Sequence, residues 1–497
     1  MTISIARNDE TTHNQYKLLP LWVGIAVYAL LIVMGNVLLN DPDSMWHITV
    51  GQWILDHNAV PEADIYSFTK SGQPWISTEW LAQVLFAGSF SLFGWSGPVV
   101  LAAGTIAGAF GLLASFLNPR LGRNATLVFI AIVFGLTFSH LLARPHALSM
   151  PLMVAWFRSL VAAADRNEQP SFWLLPLMAL WANLHGGFIF GLVMILPMAL
   201  DAVANTQPNR RRTLAMRWLL FAVAALAAGC CTPYGWGSLL ASQRILSLGS
   251  ALQLIREWRP ADFSQIGFFE LTLLLGIGFV LYRGITLPPM RVAILLGLVH
   301  MALAQTRASE NLALVAPILL AAPLARQLGS AGIEARARRP NRILPLLAGA
   351  MASFAATVAF ASVHPFAPNE RGTPVTAVVK LKRLKLTRVF NDYDFGGYLI
   401  AQGVQTFIDG RTELFGEQFF VDHNAASGLM EPDNHFRLLE AYKIEATFMR
   451  TESAATKLLD HMDGWQKVYS DDIATIHVRR ASASRSREPV IAPKAAE

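Results

Sequence analysis

The chain has 497 residues, 53% hydrophobic and 15% charged, with a net charge of +6 and a mean hydropathy of +0.40. That much apolar surface exceeds what a water-soluble domain can bury, so the composition excludes an ordinary soluble enzyme and predicts a polytopic membrane protein. The basic balance does not indicate nucleic acid, because the arginines fall in short clusters between apolar runs without aromatic and basic interleaving.

In chain order, residues 1–17 read as a polar cytoplasmic leader and 18–39 as a first apolar span. That span ends at Asn40-Asp41-Pro42-Asp43 without a small-residue cleavage pattern, so it reads as a retained anchor. Further apolar runs near 97–117, 125–142, 146–163, 171–184, 186–203, 215–231, 265–282, 291–306, 310–326 and 343–362 bring the expected count to about eleven spans. The pair Cys230-Cys231 offers neither a disulfide framework nor a zinc site. Basic connections at Arg120/Arg123, Arg158/Arg166, Arg210-Arg211-Arg212 with Arg217, Arg283/Arg291, and Arg326 with Arg336, Arg338, Arg339 and Arg342 read as cytoplasmic by the positive-inside rule. With the N-terminus inside and an odd number of spans, the C-terminal domain lies outside.

The opposite loops collect the acids and histidines, so the chemistry faces outward. The first of them, 40–96, carries Trp46, Trp53, Trp75 and Trp80, a composition suited to an interface, and 81–93 is expected to lie on the outer leaflet as a helix. A second interfacial helix is expected over 236–264. The stretch 171–204 reads as two short spans broken at Asn183-Leu184-His185-Gly186-Gly187, because Arg166 and Arg210 flank it with the same sign. From 364 to 480 the pattern is that of an α/β domain. Strands are expected at 389–390, 406–408, 446–449 and 473–478, with helices near 374–385, 433–442 and 452–464; 481–497 has the composition of a disordered tail. The expected fold class is therefore mainly α, a polytopic membrane helix bundle with a C-terminal extracytoplasmic α/β domain.

Asp41, Asp43 and His47 put two carboxylates and an imidazole just past the first span, within reach of water and of a lipid-borne substrate. The plain alternative is a polar loop cap. Arg144, His146, Arg256 and Arg259 are outward cations, and guanidiniums match phosphate oxygens bidentately when they do not merely snorkel to lipid headgroups. Glu79 precedes a helix and serves equally as an N-terminal helix charge. Asn183 and His185 break an apolar segment, as residues lining a cavity do, or simply make a satisfied turn. Arg307 and Glu310 lie one turn apart and suit each other as an ion pair; Asp409-Gly410-Arg411 is first a turn signature.

The segment Asn40 to His47 resembles the first-loop motif of GT-C glycosyltransferases, most closely that of archaeal oligosaccharyltransferase catalytic subunits, and Gly51 to Pro61 through Asp64 extends the likeness. The resemblance implies a GT-C-type bundle and a sugar donor linked to polyprenyl phosphate. Asp43 is then the catalytic carboxylate and Asp41 the second choice. His47, Glu79, Asn183 and His185 fall to the support of the cavity, and Arg144, His146, Arg256, Arg259 and Arg307 to the donor phosphate.

Asn391-Asp392-Tyr393-Asp394-Phe395-Gly396-Gly397-Tyr398 resembles the Trp-Trp-Asp-Tyr-Gly region that recognises acceptor peptide, but it lacks the tryptophans, so the acceptor does not carry over. With Phe407 to Arg411 it is similar to a broad group of bacterial membrane proteins of the same superfamily. On that likeness Asp392, Tyr393, Asp394, Asp409 and Arg411 belong to the acceptor side. No cofactor is firmly implied. Oligosaccharyltransferases complete a metal site with acids in a later outer loop, where this chain has Arg144-Pro145-His146, so a divalent metal is left open. The expected setting is the bacterial inner membrane and the expected work is on the cell envelope. A transporter or flippase, which calls for midplane charges and two related halves, and a non-catalytic scaffold of an envelope-assembly complex are the alternatives.

Overall fold

A computed structural model describes residues 3–329 and 343–480. The basic cluster at 336–342 and the 481–497 tail lie outside the described residues. The chain divides into two units, one built from 1–39, 78–242 and 255–367, the other from 40–77, 243–254 and 368–497.

In the first unit the helix Ile3–Val33 takes in most of the leader and packs along Ser96–Leu121, which in turn packs on Pro145–Asp165. Hydrocarbon gives helices no hydrophobic reason to associate, so close backbone approach over small residues has to supply the contact. Ala102, Ala103, Ala109 and Ala114 are fully buried on the 96–121 helix, and at Gly111 a Cβ would come 3.3 Å from the Pro20 carbonyl oxygen.

Among the described residues, five helices are long and apolar enough to cross a membrane: Ser96–Leu121, Arg123–His140, Pro145–Asp165, Pro208–Gly229 and Thr306–Gln327. Other apolar helices, Leu18–Val33 and Phe188–Ala204 among them, are shorter, at 10–17 residues. The expected count of about eleven goes beyond these five.

The 171–204 stretch is broken where its polar residues fall. A helix Leu175–Leu184 ends at His185, and the chain resumes as Phe188–Val193 and Ile195–Ala204. Arg291, from one of the basic connections, is not left to solvent. It is 3% exposed, donates to Asp201 at 2.9 Å, pairs with Asp165 and reaches the Leu319 carbonyl at 3.2 Å, so it ties four helices together.

Trp80–Phe93 is helical as expected. The expected single helix over 236–264 is not formed. A helix Gly237–Leu246 gives way to short turns at Gly249–Leu254 and Arg256–Trp258, because Gly249 takes a positive φ of 49° that a continuing helix does not accept.

The second unit holds the helix Ser44–His57 and a four-stranded sheet in the order β1-β2-β4-β3. The strands are β1 Val389–Asn391, β2 Ala446–Arg450, β3 Trp465–Ser470 and β4 Ala474–Arg479. β1 pairs with β2 in parallel, and β2–β4 and β4–β3 are antiparallel. Val389, Phe448 and Ile476 pack with Val378 and Leu381 of the helix Val375–Arg383 on one face. Alternation sends Phe390, Thr447 and His477, all buried, to the other.

The strand expected at 406–408 is instead a single parallel bridge from Thr406 to Ser67, so those apolar residues are buried against the first loop without a ladder. The helix Glu417–Gly428 and strand β3 were not foreseen. The helix expected over 452–464 spans only Ala454–Leu459, since the chain must turn to enter β3.

Candidate active site

Polar residues collect in both units. In the first, the centre is Glu257, on the short turn Arg256–Trp258. Arg144, at the N-cap of Pro145–Asp165, donates to it, and Arg307 lies 3.6 Å from its other oxygen. Burial pushes the Glu257 carboxyl up, but the Arg144 and Arg307 guanidiniums outweigh that and hold it well below the usual carboxylate range. Arg256 and Arg259, on either side of it, are exposed. The acid between the two arginines is therefore what joins the cluster, and a lone glutamate in Arg256-Glu257-Trp258-Arg259 gives no sign of this. The expected Arg307 and Glu310 pair is not what forms: Arg307 turns to Glu257, while Glu310 lies 3.9 Å from His146 Nε2, which donates to the His140 carbonyl at 2.7 Å.

The Gly-Gly after His185 has a direct use. The Gly187 N–H donates to His185 Nδ1 at 3.0 Å, and a Cβ on Gly187 would stand 2.8 Å from that nitrogen. An amide can only donate, so Nδ1 is the acceptor and the ring proton is assigned to Nε2. That N–H faces Glu79 Oε1 at 3.4 Å and Arg307 Nη2 at 3.3 Å. The neutral ring N–H and the Arg307 guanidinium thus stand side by side next to the Glu79 carboxylate. Asn183 is spent on structure: its amide donates to the carbonyls of Ala179 and Cys231 at 2.7 and 2.8 Å, and its oxygen accepts Trp80 Nε1 at 2.7 Å.

In the second unit Asp41 is buried and its Oδ1 accepts the Asp43 N–H at 3.0 Å. Asp43 sits at the N-cap of Ser44–His57, yet its side chain makes no capping hydrogen bond; Oδ1 accepts Trp46 Nε1 at 3.0 Å. His47 is 5% exposed, with its ring 3.7 Å from that of Trp46, and has packing in place of solvent.

Asp409 and Arg411 have no exposed surface and so present nothing to an acceptor, contrary to the expectation for them. Arg411 donates to both oxygens of Asp409 at 2.8 Å and to Asp64 at 2.6 Å, with its guanidinium 4.8 Å from the Trp75 ring. Asp392 accepts the Asp394 N–H at 3.1 Å, and Arg450 reaches Asp392 at 3.7 Å and Asp394 at 2.7 Å. Burial, helped by Asp394 and opposed by Arg450, pushes the Asp392 carboxyl up to about 6. The Tyr393 hydroxyl meets that of Thr412 at 3.0 Å. Among the described residues no group of three or more His, Cys, Asp or Glu side chains is arranged to hold a metal ion, and no step below runs through one.

No family model matches the chain, and no curated protein sequence matches it. Among solved structures it is similar to the Archaeoglobus fulgidus oligosaccharyltransferase AglB in complex with an inhibitory peptide and a dolichol-phosphate. The identity there is 11%, over 94% of this chain and 75% of that one, with a TM-score of 0.52. The apo form of an Archaeoglobus fulgidus oligosaccharyltransferase matches at 12% identity over 86% and 70%, with a TM-score of 0.50. ArnT from Cupriavidus metallidurans bound to undecaprenyl phosphate matches at 14% identity over 94% and 99%, with a TM-score of 0.47. The first two likenesses show that the chain shares the fold of these oligosaccharyltransferases.

Proposed function

We propose that the chain is an extracytoplasmic glycosyltransferase that moves a sugar from a polyprenyl-phosphate-linked donor to an acceptor, with Asp43 as general base. The observation that carries this reading is that Asp43 stands at a helix N-cap and does not cap, while Asp41 makes the local backbone contact. An aspartate kept as a cap at that position would accept from the backbone N–H of the second or third helical residue. Here the carboxylate is turned to Trp46 and stays partly exposed. The dolichol-phosphate held by the oligosaccharyltransferase of the same fold supports a lipid phosphate as the leaving group.

In the proposed step the acceptor's hydroxyl or amide gives its proton to Asp43 and attacks the anomeric carbon from the face opposite the phosphate. The bond from that carbon to the phosphate oxygen breaks, the electron pair leaves with the lipid phosphate, and the anomeric configuration inverts. Arg307 and Arg144 neutralise the charge that develops on that phosphate, and the His185 Nε2–H adds a neutral donor. Glu79 supports the cavity, and the Asp392–Asp394 turn serves the acceptor side.

The test is turnover of a panel of 14C-labelled polyprenyl-phosphate hexoses and N-acetylhexosamines by the protein in vesicles, with water or vesicle components accepting. One member of the panel should be turned over, and Asp43→Asn should lower that rate by about two to four orders of magnitude with insertion and folding unchanged. Asp41→Asn, which keeps the accepting oxygen, should stay active. Wild-type turnover by Asp43→Asn would remove the general-base reading.

A further inference from the structure

The bend at Gly410, between Asp409 and Arg411, does more than redirect the chain. A Cβ built on Gly410 would lie 2.0 Å from Asp43 Oδ1, 2.8 Å from its Cγ and 3.0 Å from Trp46 Nε1. Nearby, a Cβ on Gly397 would lie 2.2 Å from the Pro42 carbonyl oxygen. Two glycines from the C-terminal part of this unit thus bring bare backbone against Pro42, Asp43 and Trp46, where any side chain would collide. The residues on either side of Gly410 are the fully buried Asp409 and Arg411, paired with each other, and Arg411 is also paired with Asp64, so this segment has no freedom to back away.

We propose that Gly410 is a positioning residue for Asp43: its missing side chain is the space the Asp43 carboxylate occupies, and the Arg411 clamp fixes that space. This rests on the reading of Asp43 as the base. A methyl group at 410 meets the end of a short side chain and not backbone, so the carboxylate is what moves, off the Trp46 N–H and out of line with its substrate. Gly397 is different, because there the obstacle is main chain.

The experiment is Gly410→Ala beside Gly464→Ala, a control in the same unit where a Cβ has nothing within 4 Å. With the same labelled lipid panel, Gly410→Ala should lower kcat by about 100-fold, the loss a displacement on the order of 1 Å brings. Its KM for the lipid should stay within about twofold of wild type. A kcat equal to that of Gly464→Ala overturns the proposal. A general loss of folding would instead be read by melting temperature: if the clash is with Asp43, the double variant Asp43→Gly/Gly410→Ala should melt with Asp43→Gly alone. Failure of that rescue also overturns it. Asp43→Asn in the same assay separates the two readings. If it turns over normally the base assignment fails, and the melting comparison still decides whether 410 seats 43.

Discussion

Arg411 and Arg307 both sit among carboxylates, and the difference between their settings separates a closed clamp from an open pairing. Arg411 is completely buried, and its donors are taken by Asp409 and Asp64 in short, well-directed bonds. Burial lowers its pKa, but the two carboxylates more than reverse that. Asp64 is itself held by the Ser67 hydroxyl and amide, so the pairing is closed. Arg307 is 37% exposed, 3.6 Å from Glu257, and one of its nitrogens faces a ring N–H that cannot accept from it. This pairing is looser than the clamp, which suits the role toward lipid phosphate proposed for Arg307. The pair teaches that an arginine's role is read from whether its partners use up its donors, since both sequence contexts, Asp-Gly-Arg and Thr-Arg-Ala, look equally available.

The largest effect should come from breaking the closed setting. Arg411→Met leaves two buried aspartates without their counter-charge, and loss of one partner of a buried ion pair costs about 3–5 kcal/mol. Limited proteolysis should show the second unit cut readily while the membrane helices stay protected. A tail as resistant as wild type would mean that the clamp is dispensable.

Behind that clamp, the same unit buries histidines in neutral form. His423 is 3% exposed and its Nε2 donates to the Asn391 carbonyl at 2.9 Å. Burial, partly offset by that bond, holds it down at about 4. The unfolded chain takes up this proton first, so the stability His423 contributes is present above about pH 6.5 and is lost as pH falls toward 4. Asp392 works in the opposite sense, because its raised value favours the folded state as pH falls through about 6. The wild-type slope is therefore shallow, and a variant comparison isolates the histidine. His423→Gln should gain roughly 2–3 kcal/mol on wild type between pH 7.5 and 4.5 in denaturant unfolding of the second unit. Parallel curves for the two proteins would show that His423 does not titrate this way.

Much of the comparison could be read in the sequence and some of it could not. The break at His185 was legible because polar residues inside an apolar run stand out against lipid. Strands β1, β2 and β4 were legible because they are short apolar runs between turn signals. β3 was missed because Gln466, Lys467 and Ser470 are exposed, which hides its alternation. The clamp was missed because Asp64 meets Arg411 across 347 residues of chain, a contact no local pattern announces. The use of Gly410 was missed for the same reason: the space it leaves is filled by Asp43, a residue on the other side of the membrane helices in sequence.

The most direct test of the account is whether lipid-phosphate binding and turnover separate between two residues. Binding of polyprenyl phosphate alone, measured by competition in vesicles, should be unchanged by Asp43→Asn, whose turnover collapses, and weakened about tenfold by Arg307→Gln, equivalent to ~1.4 kcal/mol of lost contact. Unaltered binding in Arg307→Gln, or binding lost together with turnover in Asp43→Asn, would contradict the assignment of phosphate holding to Arg307 and proton removal to Asp43.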